Sequence, residues 1–300
     1  MEKLRVAVTG GSGRIGSQLV RALWQRGHDV INIDRRVPRE TTARFCYADL
    51  RQRAQLQPLL EQVDALCHLA EIPNVSAHYA PEELFIHNTT VGAIVLQTAA
   101  DLKLKRVIYT STCQVYGVWG VPPVAPQQLP ITETHPLLPT NVYSCAKVAN
   151  EYLARMIAQT TGLSLAIFRF PQVTSFDCEN VRDDLNHWFD GRPEFGDGFG
   201  THLHIEDAAN AYVLALENPR PGVEAYHFTA DEAICSVPIR DMIQSRYPGS
   251  CALPDGWPKS KSPVNCDKAR EHFGWTPRSN IMEGFRKKFG RDPLPPGQKS

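Results

Sequence analysis

The chain has 300 residues, with 32 Lys+Arg balanced by 32 Asp+Glu and a formal net charge of zero. Hydrophobic residues make up 42% and charged residues 21%, which suits a sizeable buried core and excludes intrinsic disorder. With no net positive charge and no basic run longer than three residues, a nucleic-acid partner is not expected.

The first strand-like run is "RVAVTG" at 5–10, and no signal-peptide apolar region precedes it. The helical stretch "SQLVRALWQRG" at 17–27 follows, placing Leu19, Val20, Leu23 and Trp24 on one face with Gly27 as its stop. "DVINID" at 29–34 reads as a second strand and "RFCY" as a β-like run. A helix near 52–63 leads to the strand "DALCHLA" at 64–70, and a longer helix over 82–102 leads to "RVIYTST" at 106–112. A helix over 141–161 leads to "LSLAIFRF" at 163–170. Near-continuous apolar strands alternating with helices predict an α/β fold: a Rossmann-like, doubly wound parallel sheet covered on both faces.

After Phe170 the rhythm changes. Residues 171–200 read as irregular, "IEDAANAYVLALEN" at 205–218 as an amphipathic helix and "VEAYHFT" at 223–229 as a strand. From about 231 onward Pro and Gly recur, with one helix at "DKAREHF". The expected organisation is a dinucleotide-binding core over 1–170 to which 201–229 return. A small substrate lobe is expected from 171–200 and 230–300. No apolar run approaches the roughly 18 residues of a membrane span, and the eight cysteines show no CxxC or zinc spacing. A cytoplasmic protein with reduced thiols, no membrane contact and no metal is expected.

"TGGSGRIG" at 9–16 joins the first strand to the first helix, with Gly10, Gly13 and Gly16 in GxxGxxG spacing. Glycine allows the tight turn, the close approach of a pyrophosphate and close helix–strand packing, and the helix N-terminus offers N–H groups to the anion. The flanking strand and helix make this more than a glycine-rich turn. Asp34, at the end of the second strand, is placed to accept both ribose hydroxyls of NAD and to repel the 2′-phosphate of NADP. Arg14, Arg35 and Arg36 nearby keep NADP as the weaker alternative. In "ADL" at 48–50, Asp49 is placed to accept from an adenine amino group and Leu50 to cover the ring, with a turn-capping role for Asp49 as the plainer alternative.

"YSCAK" at 143–147 sets Tyr143 and Lys147 four residues apart on one helical face. A phenol titrating near pH 10 is a poor acid or base at neutral pH, and an ammonium one turn away lowers its pKa. A hydroxyl from "TST" at the carboxyl end of the fourth long strand completes the set, because ligands bind at strand C-termini in such sheets. Strand alternation sends Ser111 and Thr112 to opposite sides, so only one is expected to face the site.

Taken in order, "TGGSGRIG", Asp34, "ADL", "HLAE", Asn88 in "HNTTVG", "TSTCQVYG", "YSCAK", "FRFP", "GDG…HLHIEDAANAY" and "KAREHFGWTPR" span nearly the whole chain. The chain resembles an extended short-chain dehydrogenase/reductase of the NAD-dependent epimerase/dehydratase family, nucleotide-sugar 4-epimerases included. The resemblance implies Tyr143 as catalytic acid/base, Lys147 as its partner and Thr112 as the family's Ser/Thr, with Ser111 as the alternative. It implies cofactor contacts from Gly10, Gly13, Arg14, Ile15, Gly16, Asp34, Asp49, Leu50, Leu69, Ala70, Glu71, Asn88, Tyr143, Lys147 and Pro171, with Lys147 donating to the nicotinamide ribose. It also implies a homodimer built on the two long helices.

The chain departs from the nucleotide-sugar pattern in two places. Gln172 stands where an Asn is usual, and Gly200–Thr201 stand where Arg-Asp is usual, so the arginine that grips a substrate diphosphate is missing. Arg182 and Arg192 lie in the same segment. Gln172, Ser111, Cys113 and His202 are the candidate substrate contacts. For Cys113 the alternative is plain packing, and for His202 and His204, which alternate on a probable strand, it is burial in a sheet. The expected function is NAD-dependent redox chemistry on a hydroxyl or keto group of a sugar-like small molecule. The alternatives are a UDP-hexose 4-epimerase with tightly bound NAD, and an NAD-binding regulatory protein without catalysis.

Overall fold

The computed structural model describes residues 2–40, 42–73, 79–120, 123–175, 198–235, 237–280, 283–284 and 286–287. Seven strands form one parallel sheet: β1 (Arg5–Thr9), β2 (Asp29–Asp34), β3 (Arg44–Tyr47), β4 (Ala65–His68), β5 (Arg106–Thr112), β6 (Leu165–Phe170) and β9 (Val223–His227). Their order is β3-β2-β1-β4-β5-β6-β9. The chain runs outward from β1 in one direction, then restarts at β4 on the other side, so the carboxyl ends of β1 and β4 flank the point where the order reverses. That is where a ligand crevice opens in sheets of this kind. The fold is Rossmann-like, as the alternation of strands and helices predicts.

Both faces of the sheet are covered. Val6 and Val8 point into a layer with Leu19, Val20 and Leu23 of α1 (Arg14–Gln25) and Ala208, Tyr212 and Leu216 of α5 (Ile205–Glu217). Ala7, between them, points into the opposite layer with α2 (Arg53–Leu60), α3 (Pro81–Asp101) and α4 (Val142–Thr161). This period-two division is why the strands read as continuous apolar runs. Trp24 is a correction: it lies in the last turn of α1 and is 56% exposed, off the stripe that Leu19, Val20 and Leu23 bury. Gly27 ends that turn at φ +85°.

A third apolar cluster forms the smaller lobe. It joins Val115, Tyr116, Trp119 and Ile131 to Phe199, Ala233, and Ile239, Met242 and Ile243 of α6 (Ile239–Arg246). The loop after β5 therefore packs with the lobe, whereas Ala269 and Phe273 of α7 (Asp267–Phe273) and Trp275 pack back on the sheet layer. Helix α6 and strand β7 (Gln172–Thr174) add order where the sequence reads as irregular, and β7 pairs in parallel with β8 (His202–His204), the strand expected to carry His202 and His204. Strand β7 is only three residues long, too short to show a period.

Candidate functional site

The glycine loop is built around close backbone approach. Gly13 N–H donates to the Gly10 carbonyl at 2.9 Å. A Cβ on Gly16 would lie 2.1 Å from that same carbonyl oxygen, so only glycine fits. Gly13 caps α1 without a side-chain hydrogen bond and no acidic residue stands in the first turn, which leaves the helix N-terminal amides to an anion. The Asp34 carboxylate is fixed beside the loop by the Ser12 N–H at 3.1 Å and the Arg36 N–H at 2.9 Å. The cradle therefore fits a dinucleotide: a side-chain-free turn for the pyrophosphate and an oriented carboxylate for ribose hydroxyls.

Other expected cofactor residues surround this cradle. Leu69 and Ala70 follow β4 and are half-buried; the Ala70 backbone nitrogen comes within 2.8 Å of where a Gly10 Cβ would be. Ile15 is half-buried and Leu50 buried. Arg51 embraces both oxygens of Asp49 at 2.6 to 3.2 Å, and those hydrogen bonds hold its carboxyl down at about 2. Arg14 is turned toward the lobe, donating to the Val173 carbonyl of β7. Asn88 acts one step removed: its amide binds both the N–H and the carbonyl of Ile72 at 2.9 Å and so shapes the loop that carries Leu69 to Glu71.

Helix α4 delivers Tyr143 and Lys147. Its start is set by Asn141, whose side chain accepts the Ser144 N–H at 2.8 Å and donates to Gln114 at 3.1 Å. Gln114 belongs to the short 3₁₀ turn Cys113–Tyr116 that follows β5, and its N–H donates to the Thr112 hydroxyl at 3.2 Å. One hydrogen-bonded path thus ties the end of β5 to the start of α4. Lys147 is buried; its ammonium donates to the Thr110 carbonyl at 2.6 Å and stands 5.6 Å from the centre of the Tyr143 ring. Burial pushes the half-buried Tyr143 phenol up and Glu71 adds to that, while Lys147 pulls it down. For Lys147, burial is the largest effect and lowers its pKa, but Glu71 and Tyr143 together outweigh it and the ammonium is held above its ordinary range.

The two hydroxyls at the end of β5 part company. Ser111 donates to Glu151 at 2.6 Å inside a closed network, whereas the Thr112 hydroxyl donates a long hydrogen bond to the Phe170 carbonyl at 3.4 Å at the strand end. Glu151 takes Arg169 in a bidentate pair at 3.0 and 2.6 Å, and Arg169 donates to the Tyr116 hydroxyl at 2.5 Å and the Glu133 carbonyl at 3.0 Å. Tyr116 donates in turn to His227 Nε2, whose other nitrogen faces the Asn265 carbonyl at 3.0 Å. No sequence motif announces this network. An arginine inside the apolar run "LAIFRF" and a glutamate four residues after Lys147 were the available signals, since a buried charge needs a partner.

The expected substrate contacts are placed unevenly. Gln172 is exposed on β7 and Pro171 half-buried before it. Cys113 is fully buried against the Arg169 carbonyl, and burial pushes its thiol well up, as suits the packing alternative. His202 is buried, its Nδ1 donating to the Gly200 carbonyl at 3.1 Å, and burial lowers its pKa to about 4. Gly200 has φ +66° and a Cβ there would sit 2.0 Å from the Ile234 carbonyl, so this backbone admits no arginine. The Thr201 hydroxyl is occupied by the Trp119 indole N–H at 3.0 Å. Arg182 and Arg192 lie outside the described residues.

The model of the NAD dependent epimerase/dehydratase family matches residues 6–230. A UDP-glucose 4-epimerase of Lacticaseibacillus casei is 26% identical and aligns over 93% of this chain and 94% of its own length. A UDP-glucose 4-epimerase from Bifidobacterium longum, solved in complex with NAD+ and UDP, shares the fold with a TM-score of 0.70 at 19% identity, covering 95% of this chain and 99% of that one. A UDP-N-acetylglucosamine 4-epimerase from Bacillus cereus gives a TM-score of 0.71 at 19% identity over 95% and 98%. A glycine cradle with an oriented carboxylate, a Tyr–Lys pair at the carboxyl end of the sheet and a family match across most of the chain lead to one assignment: the chain belongs to the NAD-dependent epimerase/dehydratase family.

Proposed function

We propose that this protein interconverts a hydroxyl and a keto group on a sugar ring, with Tyr143 moving the proton. The observation that carries this reading is the half-buried Tyr143 ring 5.6 Å from the buried Lys147 ammonium, which is anchored to the Thr110 carbonyl near the carboxyl end of β5. Gly10, Gly13 and Gly16 would receive the cofactor pyrophosphate, Asp34 the adenosine ribose, Asp49 and Leu50 the adenine, and Leu69, Ala70 and Pro171 would flank the remainder. When bound, NAD supplies the hydride acceptor and donor for the substrate carbon.

The chain's own residues divide the remaining work. In oxidation the Tyr143 hydroxyl oxygen, as phenolate, takes the substrate hydroxyl proton, and the Lys147 ammonium stabilises that phenolate. The Thr112 hydroxyl holds the same substrate oxygen. In the reverse direction Tyr143 returns its proton to the carbonyl oxygen. A nucleotide-sugar as substrate and epimerisation as outcome are supported by the UDP-glucose 4-epimerases to which the chain is similar along nearly its whole length. Incubation with UDP-glucose and UDP-galactose, followed by chromatography, should give the other isomer without net NADH; unchanged sugars would rule this out.

A second reading is favoured by Gly200 and Thr201. With the backbone closed against Ile234 and the hydroxyl accepting from Trp119, this corner offers no cationic grip on a diphosphate among the described residues. Net oxidation of a smaller sugar, sugar acid or polyol fits that corner, and steady NADH formation with such a panel would distinguish it.

A further inference from the structure

Glu71 lies just past β4, with its side chain only 4% exposed. Three groups converge on its carboxylate. The Lys147 ammonium is 2.8 Å from Oε2, and Oε1 accepts from the Tyr109 hydroxyl at 2.9 Å and from the Asn150 amide at 3.3 Å. The Lys147 ammonium is thus held from two sides, by the ion pair with Glu71 and by its hydrogen bond to the Thr110 carbonyl at 2.6 Å.

The pairing matters for Tyr143. A lone buried ammonium one helical turn away acts on the phenol as a full positive charge, whereas an ammonium in contact with a carboxylate acts as a dipole whose effect falls off much faster. The other titratable groups facing the pair are His68 from β4, Tyr109 from β5, Glu151 from α4 and Tyr212 from α5. The network of Ser111 and Arg169 holds Glu151, so Glu71 is the carboxylate in direct contact with Lys147.

We propose that Glu71 is a positioning residue for the Tyr143–Lys147 pair: it fixes the ammonium against β5 and offsets its charge, keeping Tyr143 a phenol that donates its proton to a carbonyl oxygen. This rests on the reading of Tyr143 as the acid/base. It assigns Glu71 to tuning the proton transfer rather than only to lining a cofactor. The raised titration of Tyr143, to which burial and then Glu71 contribute, points the same way.

The test uses the cofactor-free protein. The ultraviolet absorbance of tyrosinate is titrated in wild type and in Glu71→Gln, each against its own Tyr143→Phe background, so that only Tyr143 is read. Glu71→Gln keeps the size and the acceptor for Tyr109 but removes the charge. Its Tyr143 is expected to titrate lower by on the order of one pH unit, with Glu71→Asp remaining near wild type. The acid limb of kcat/KM for substrate oxidation should move by the same amount. Glu71→Ala serves as a second variant and should shift the same way should Glu71→Gln not fold. An unshifted Tyr143 titration in either folded variant overturns the proposal. Because no cofactor or substrate enters the titration, that failure is distinguishable from a failure of the functional reading, which would show as retained turnover in Tyr143→Phe.

Discussion

Tyr143 carries the proposed proton transfer, so its hydroxyl is where a single atom should matter most. Tyr143→Phe should lower turnover by about a hundred- to ten-thousand-fold while calorimetry still detects NAD binding, because the glycine loop and Asp34 are untouched. Retained turnover would remove Tyr143 from the mechanism, and lost NAD binding would mean that it holds the cofactor instead. Arg169 offers the contrast of a buried residue whose work is structural. It is 1% exposed and held by Glu151, Tyr116 and Glu133. Arg169→Met leaves the Glu151 carboxylate buried without its partner, and urea unfolding should show a loss of about 3–5 kcal/mol.

At the scale of elements, helix α4 aligns the reacting groups with the sheet. Asn141 both caps the helix and links it through Gln114 to Thr112, so one side chain sets the relation between the Tyr143 turn and the end of β5. Asn141→Ala should destabilise the fold by about 1 kcal/mol in a thermal or denaturant melt and should also lower kcat. A stability loss with kcat unchanged would show that the cap serves the helix alone. The small lobe has its own logic. The loop after β5 enters the lobe through Val115, Tyr116 and Trp119, so the strand that ends in Thr112 runs directly into the lobe's apolar cluster.

For the whole molecule, buried histidines couple folding to pH, and His68, His202 and His227 are displaced furthest. Burial is the first cause that lowers His68 and His227 to about 3 and His202 to about 4, against an unperturbed 6.5. Each imidazole titrates lower folded than unfolded, so below 6.5 the unfolded chain takes up more protons and acid favours it. Stability should be fully present above pH 6.5 and decline below it, with a slope approaching about 4 kcal/mol per pH unit between 6 and 4. Urea midpoints measured at several pH values check this, and a flat profile over that range would contradict it. We also propose a homodimer through α3 and α4. Ile86 on α3 is 62% exposed, and Tyr152 and Met156, one turn apart on α4, are 64% and 47% exposed. Light scattering should give twice the chain mass in wild type and a single chain in a Tyr152→Glu, Met156→Glu variant; a monomeric wild type excludes the dimer.

The sheet, the glycine loop and the spacing of Tyr143 from Lys147 were legible in the sequence. These follow from local rules: apolar runs of strand length, glycines that only a close turn requires, and a four-residue step on a helix. The bounds of β5 and α7 match the sequence reading to the residue. Which buried charges meet is a property of the folded chain alone. Glu71, Lys147 and Tyr109 come from three separate elements, and so do Ser111, Glu151 and Arg169. The choice between Ser111 and Thr112 also waited on tertiary contacts, since alternation says that they diverge but not which one α4 captures. Pairings between distant segments leave no periodic signature, because they depend on strand order and helix docking rather than on neighbours in the chain.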